Sequence, residues 1–237
     1  MIFGAILAGG IGKRMNIADL PKQFLLLDNK PIIIHTIEKF LIVNRFDKIY
    51  IGVHSDWIQY MNDLIEKYNL DKTKLVVVAG GKDRSDTILN IITAIKNSFP
   101  DNKEDVIVTH DSVRPFVTKR IIDDNIDAAI KYGACDTVVS SADTIVVSNN
   151  NDTITDIPNR NFMYQGQTPQ SFKLDLLLDS YKRLTDAEKD ILTDACKVCV
   201  MKGVAVKLVM GEYSNFKITT INDYKVAQAM VGGKKLD

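Results

Sequence analysis

The feature that most constrains this chain is an alternation in its first half. Short β-rich apolar runs are separated by longer stretches whose apolar residues recur every three to four positions. That pattern is the signature of βαβ units on a mainly parallel sheet, since a strand covered on both faces reads as a continuous apolar run and a covering helix reads as a stripe. It predicts strands over 2–8, 48–53, 74–78, 105–109 and 134–139. The helical stripes between them are Ile34, Ile37, Leu41; Trp57, Met61, Leu64, Tyr68; Ile88, Ile91, Ile92, Ile95; and Ile122, Ile126, Ala129, Ile130. With 237 residues and 46% hydrophobic content, the chain can bury one substantial core, so a single α/β domain over 1–237 is expected.

The rhythm changes after residue 137. Val138 to Val147 is β-rich, Asn149-Asn150-Asn151-Asp152 signals a turn, and Thr153 to Ile157 is extended again before Pro158. This predicts a projecting β-hairpin arm at about 138–165, inserted where a helix is due. Two helical patterns follow, over 174–184 and from Asp186 into the low 200s. The second is opened by Thr185 with Glu188 as a capping box. A strand near 206–209 and a last helix from about Ile221 complete the chain.

Charge and cysteine usage exclude several classes. The 30 basic and 30 acidic residues cancel, so no global field draws the chain to nucleic acid or to an anionic membrane, and any anion must be held locally. The apolar run from Ile2 to Ala8 stops at Gly9-Gly10, far short of a signal or membrane helix, which makes a cytoplasmic enzyme the expectation. Cys135, Cys196 and Cys199 cannot all pair with one another, which fits a reducing compartment. The Cys196-x-x-Cys199 spacing lacks the further ligands a zinc site needs and reads as helix packing.

Three clusters carry chemistry. The first, at the end of the first strand, is Leu7-Ala8-Gly9-Gly10-x-Gly12-Lys13-Arg14-Met15, followed by Pro21-Lys22-Gln23. Ligands of parallel sheets bind at carboxyl ends of strands, where glycines let backbone N–H groups approach phosphate. The dinucleotide fingerprint fails because Met15 stands where its third glycine belongs. A Walker loop fails at Leu7 and Arg14. The second cluster, Gly80-Gly81-Lys82-Asp83-Arg84-Ser85-Asp86-Thr87, again lies between a strand and a helix. The third, Thr109-His110-Asp111-Ser112-Val113-Arg114-Pro115, places a carboxylate suited to Mg²⁺ beside a guanidinium suited to phosphate. Adjacent His110, Asp111 and Ser112 cannot form a hydrolase triad, because consecutive strand residues face opposite sides.

Taken together, these segments resemble the family of methylerythritol-phosphate and ribitol-phosphate cytidylyltransferases. The resemblance runs in order along almost the whole chain. It is carried by the first cluster, Pro21-Lys22-Gln23, Gly80-Gly81-x-x-Arg84, His110-Asp111-x-x-Arg114-Pro115, Gln167-Thr168-Pro169-Gln170 and Asn215-x-Lys217-Ile218-Thr219. Tyr164 to Phe172 and Leu192 to Lys197 look like the ribitol-phosphate branch, and Ser112-Val113 stands where methylerythritol enzymes more often have Ala-Ala.

The resemblance implies a three-layer, Rossmann-like nucleotidyltransferase fold. The reaction expected from it is transfer of CMP from CTP to D-ribitol 5-phosphate, giving CDP-ribitol and pyrophosphate for teichoic acid or capsule synthesis. The alternative acceptor is 2-C-methyl-D-erythritol 4-phosphate, of isoprenoid synthesis. By the same resemblance CTP lies on Leu7, Ala8, Gly9 and Gly10 and against Gly81, Lys82, Asp83, Arg84, Ser85, Asp86, Thr87 and Ser112. Arg14 and Lys22 become the catalytic cations, and Asp111 helps hold Mg²⁺. Arg114, Thr144, Arg160 and Lys217 meet the acceptor phosphate, and the arm reaches across a homodimer to the neighbouring site.

Overall fold

The computed structural model describes residues 1–10, 20–192 and 194–232. The first half contains β1 (Ile2–Ala8), β2 (Leu26–Leu27), β3 (Lys30–Pro31), α1 (Ile32–Leu41), β4 (Lys48–Val53), α2 (Ile58–Lys67), β5 (Leu75–Ala79) and α3 (Arg84–Ser98). The second contains β6 (Val106–Asp111), α4 (Lys119–Tyr132), β7 (Ala134–Ser140), β8 (Tyr164–Lys173), α5 (Leu174–Lys182), α6 (Asp186–Asp190), α7 (Ala195–Met201), β9 (Lys207–Met210) and α8 (Ile221–Val231). One seven-stranded sheet has the order β5-β4-β1-β6-β8-β7-β9. All its strands run parallel except β8, which opposes both neighbours. The short β2–β3 pair stands apart, joined by Asp28 and Asn29 at positive φ.

Side-chain alternation along the strands builds the three expected layers. Ile6 and Ala8 of β1 pack with α1, α2 and α4 on one face. Phe3 and Ala5 pack with α3, α5 and α7 on the other. The predicted stripes are these contacts: Ile34, Ile37, Met61, Leu64, Ile122 and Ile126 are buried on the first face, and Ile88, Ile91, Ile92 and Ile95 on the second. Cys196 and Cys199 are buried on α7, and burial pushes the Cys199 thiol up to about 11. They are core residues.

Three expectations change. No element was expected between Pro158 and Leu174, yet β8 lies inside the sheet. Its sequence, Tyr-Gln-Gly-Gln-Thr-Pro-Gln-Ser-Phe-Lys, lacks apolar alternation because its buried polar groups are satisfied by neighbours. Pro169 is tolerated where the β7–β8 register shifts between Asp136 and Val138, and its carbonyl accepts from Thr137 Oγ1 at 2.6 Å. The single helix expected from Asp186 is two. The Thr185–Glu188 capping box forms, but α6 ends at Asp190 and Asp194 caps a new helix by accepting from Lys197 N–H at 2.8 Å.

The arm is also less regular than a hairpin. Beyond β7 its ladder is one antiparallel bridge, Val147–Asp156, and Asn150 Oδ1 holds the turn by accepting from the N–H groups of Asp152 and Thr153. Val146, Ile154, Ile157 and Phe162 remain exposed along it, Phe162 by 74%.

Candidate active site

Between β1 and β6 the sheet order reverses direction, so the carboxyl ends of these strands open a crevice. Leu7, Ala8, Gly9 and Gly10 form one wall as β1 ends, tied to the next strand by Ser112 N–H donating to the Leu7 carbonyl at 3.2 Å. Gly81, Lys82, Asp83, Arg84 and Thr87, at the start of α3, form the opposite wall. Asp111, Ser112 and Lys217 supply the floor, and Lys22 and Gln23 the rim. Three segments far apart in sequence, each singled out by its residues, therefore meet in one cleft.

Close packing explains two of the glycines. A Cβ on Gly81 would sit 2.1 Å from Asp86 Cβ, and one on Gly52 would sit 2.6 Å from Thr87 Cγ2. Both let α3 press its N-terminus against the ends of the strands, where its free N–H groups and positive dipole end favour an anion. Some expected nucleotide residues are occupied in building this corner. Asp83 caps α3 by accepting from Asp86 N–H at 2.8 Å, and Thr87 Oγ1 accepts from Gly81 N–H at 3.0 Å. Ser85 and Asp86 do not line the cleft. Ser85 Oγ accepts from Tyr181 OH at 3.4 Å on the other side of α3, because one helical turn cannot aim four successive side chains at one ligand.

Asp111 is the electrostatic centre. Its Oδ1 pairs with Arg84, and its Oδ2 accepts from Lys217 Nζ at 3.0 Å and Arg114 Nε at 3.3 Å. Burial opposes its ionisation, but Arg84, Lys217 and Arg114 outweigh burial and hold the carboxyl well below the usual carboxylate range. The neighbouring turn is locked by buried hydrogen bonds. Asp111 N–H donates to Thr168 Oγ1 at 3.1 Å, Thr168 Oγ1 lies 2.9 Å from His110 Nδ1, and His110 Nε2 lies 3.1 Å from the Arg114 carbonyl. Desolvation lowers His110 to about 3, so it is neutral at pH 7. The bonds then assign it the Nε2–H tautomer, a structural spacer with no proton to relay.

Two residues that sequence reasoning did not place in the site position it. Gln23, buried, donates from Nε2 to the carbonyls of Ala8 at 2.8 Å and Gly10 at 3.0 Å, fixing the glycine segment against Lys22. Asn215 donates to the Thr168 carbonyl at 2.8 Å and to Gln167 Oε1 at 3.2 Å, while its own carbonyl accepts from Arg114 Nη1 at 2.8 Å. Both lie inside quoted motifs, but only the fold shows which atoms they serve. Replacing Gln23 with leucine strands the buried Ala8 carbonyl and frees the exposed Gly10 carbonyl, and is expected to destabilise the protein by about 1–3 kcal/mol and to raise KM for the nucleotide. Thermal unfolding with nucleotide titration checks both.

Arg114 lines a second, contiguous cleft with Arg84, Asp111 and Lys217. Thr144 and Arg160 line neither cleft of their own chain. Both are exposed on the arm, where Arg160 Nη1 donates to the Ala142 carbonyl at 3.0 Å. Arg14 and Thr193 lie outside the described residues.

Beside the second cleft, Asp136 is raised to about 7 by burial first and by the charge of Asp194. Its folded-state pKa lies above the unfolded carboxylate value of about 3.9, so the folded protein binds the extra proton between those values. Wild-type stability is therefore expected to fall, relative to Asp136→Asn, as pH rises from about 4 to 7. Parallel thermal melts across that window measure it, and parallel curves for the two proteins would refute the assignment.

A reversed-order parallel sheet with a glycine wall, a helix N-terminus and fixed cations around the crevice defines a nucleotidyltransferase. The chain belongs to the 2-C-methyl-D-erythritol 4-phosphate cytidylyltransferase family, whose model matches residues 2–233. Solved structures agree. The 4-diphosphocytidyl-2C-methyl-D-erythritol synthase of Anaerococcus prevotii is 27% identical, covers 98% of each chain and superposes with a TM-score of 0.83. The 2-C-methyl-D-erythritol 4-phosphate cytidylyltransferase of Francisella tularensis is 26% identical over 96% of this chain and 98% of its own, with a TM-score of 0.79. The Thermus thermophilus enzyme of the same name, 22% identical with a TM-score of 0.73 over 98% of this chain and 100% of its own, shares the fold.

Proposed function

We propose that this cytidylyltransferase joins CMP from CTP to the phosphate of a small polyol phosphate, releasing pyrophosphate. The observation that carries the reading is the convergence of Lys22, Arg84 and Lys217 on one cleft whose wall is the Leu7–Gly10 segment. An oxygen of the acceptor phosphate attacks the α-phosphorus, the bond to the bridging oxygen breaks, and pyrophosphate leaves with the electron pair. That nucleophile is already anionic, since the second pKa of a phosphate monoester is about 6, so the neutral, sealed His110 is no obstacle.

The difficulty is bringing two polyanions together, and preorganised cations meet it. Lys22 and Arg14 would stabilise the triphosphate as charge develops, and Gly81 to Arg84 and Thr87, with Ser112, would bound the cytidine. Lys217 and Arg114 would hold the acceptor phosphate.

A divalent cation fits this arrangement in one way. Among the described residues no three His, Cys, Asp or Glu side chains gather as a ligand cage. Asp111 is a single carboxylate already paired with Arg84, Arg114 and Lys217, so Mg²⁺ beside it would be held mainly by substrate phosphates and water. When bound, it would neutralise charge on the triphosphate.

The arm supports a homodimer. Its exposed Val146, Ile154, Ile157 and Phe162 are apolar surface that a second copy would bury, and its Arg160 then reaches the partner's acceptor site.

Two acceptors compete. Methylerythritol 4-phosphate has the stronger support from the comparisons, because the family description and the Francisella tularensis structure name that substrate and the Anaerococcus prevotii structure names a cytidyl derivative of methylerythritol. Ribitol 5-phosphate is favoured by Ser112-Val113, by Tyr164 to Phe172 and by Leu192 to Lys197. Turnover of the two side by side decides. A site built around one set of hydroxyls rejects the other acceptor by roughly 10²-fold or more in kcat/KM, and the favoured compound is the substrate. Equal turnover would contradict an acceptor-specific site.

A further inference from the structure

The second cleft is contiguous with the first and combines cations with acidic and amide groups. Arg84, Arg114 and Lys217 crowd around Asp111. The rest of the lining is Gly166, Gln167, Thr168 and Gln170 of β8 together with Asp194, with Thr168 and Gln170 also touching Asp111 and Arg84. The register shift between β7 and β8 shapes this lining, since it takes Gln167 and Thr168 out of regular pairing beside the cleft.

Asp194 spends one oxygen on structure. Its Oδ1 caps α7 by accepting from Lys197 N–H, and its Oδ2 has no hydrogen-bond partner among the described residues. Asp136 Oδ1 accepts from Gln170 Nε2 at 3.0 Å, and its Oδ2 would lie 3.7 Å from a Cβ at Gly166. Gln170 is fixed from both ends, because its Oε1 also accepts from Arg84 Nη2 at 3.4 Å. Burial raises Asp136 to about 7, and the charge of Asp194 adds to that rise.

Resting on the proposed transfer to a polyol phosphate, we propose that Asp194 is the specificity-determining residue of the acceptor site. It receives hydroxyls of the polyol while the cations of the cleft hold its phosphate, and Asp136 is a positioning residue that fixes Gln170 in the same lining. The division follows from charge. An anionic phosphate is repelled by Asp194 and drawn to the guanidinium groups, which orients the molecule. A carboxylate accepting from hydroxyls makes a charge-assisted bond that a methyl or hydrogen cannot replace. An N-cap alone would not require its residue to line a cleft shared with Arg84, Asp111 and Lys217.

Asp194→Asn tests this, because asparagine caps a helix as well as aspartate does. The full-length protein is assayed with CTP, with whichever of the two acceptors the wild type uses, and with the analogue of that acceptor lacking the hydroxyl farthest from the phosphate. In D194N the acceptor kcat/KM is expected to fall roughly 10- to 100-fold, with KM for CTP and the melting temperature unchanged. The wild-type preference for the full acceptor over its deoxy analogue should shrink by a comparable factor. Unchanged acceptor kinetics, or equal losses for CTP and acceptor, would overturn the assignment while leaving the transferase reading intact. A folded wild type that turns over neither acceptor would sink both. Should D194N fail to fold, Asp136→Asn is read in the same assay. It is expected to raise acceptor KM severalfold with kcat nearly kept, and an unchanged KM there would count against the site.

Discussion

Lys22→Ala is expected to lower kcat by roughly 10²- to 10³-fold, the usual cost of removing one preorganised donor to a developing charge. KM for CTP should rise much less. Lys22 lies on the cleft rim, begins the short helical turn Lys22–Phe24, and donates from Nζ to the Ile218 carbonyl at 3.3 Å. Among the described residues it is therefore held by the Gln23-fixed turn on one side and the Asn215–Ile218 stretch on the other, before any ligand arrives. Rigid placement is what makes such a cation effective, because little reorganisation is left for the reaction to supply. Steady-state kinetics with both substrates varied separates the two constants. An unchanged kcat would remove Lys22 from the chemical step.

The second large effect concerns the arm. If Arg160 serves the neighbouring subunit while Lys22 serves its own, the single variants Lys22→Ala and Arg160→Ala are both nearly inactive, yet their mixture is not. A mixed dimer has one site carrying both lesions and one carrying neither. Random exchange makes about half of all dimers mixed, so roughly a quarter of wild-type activity returns under two-fold symmetry. The structure motivates this directly, since Arg160 is exposed and lines neither cleft of its own chain, whereas Lys22 lines the first. No recovery after subunit exchange has been verified by mass would mean that both residues act within one chain.

Much of this architecture was legible in the sequence, for a physical reason. Strands β1 and β4 are largely apolar on both faces and read as near-continuous runs, so 2–8 and 48–53 emerged with their observed ends, and 134–139 emerged within a residue of β7 although Asp136 and Thr137 interrupt its apolar pattern. β8 did not, because tertiary hydrogen bonding to Thr109, Asp136 and Asn125 replaces the apolar pattern that would have announced it. The break between α6 and α7 was written in Asp194, a strong N-cap residue, but the apolar stripe across it suggested continuity.

The candidate site divides the same way. The glycine segment, Arg84, Asp111, Ser112 and Lys217 meet as their motifs implied. The support supplied by Gln23 and Asn215, and the lining supplied by Asp194 and by Gln170 that Asp136 fixes, depend on which atoms the fold brings together. Sequence spacing carries no such information for contacts between residues 13 to 101 positions apart.

The central claim is acceptor-dependent transfer of CMP in this cleft. Its most direct measurement is pyrophosphate release and nucleotide product mass from CTP and Mg²⁺, with and without each polyol phosphate. The account predicts little release from CTP alone, and one CDP-polyol formed per pyrophosphate when the correct acceptor is added. Release that is independent of acceptor, or a folded protein that forms no CDP-polyol from either ribitol 5-phosphate or methylerythritol 4-phosphate, would contradict it.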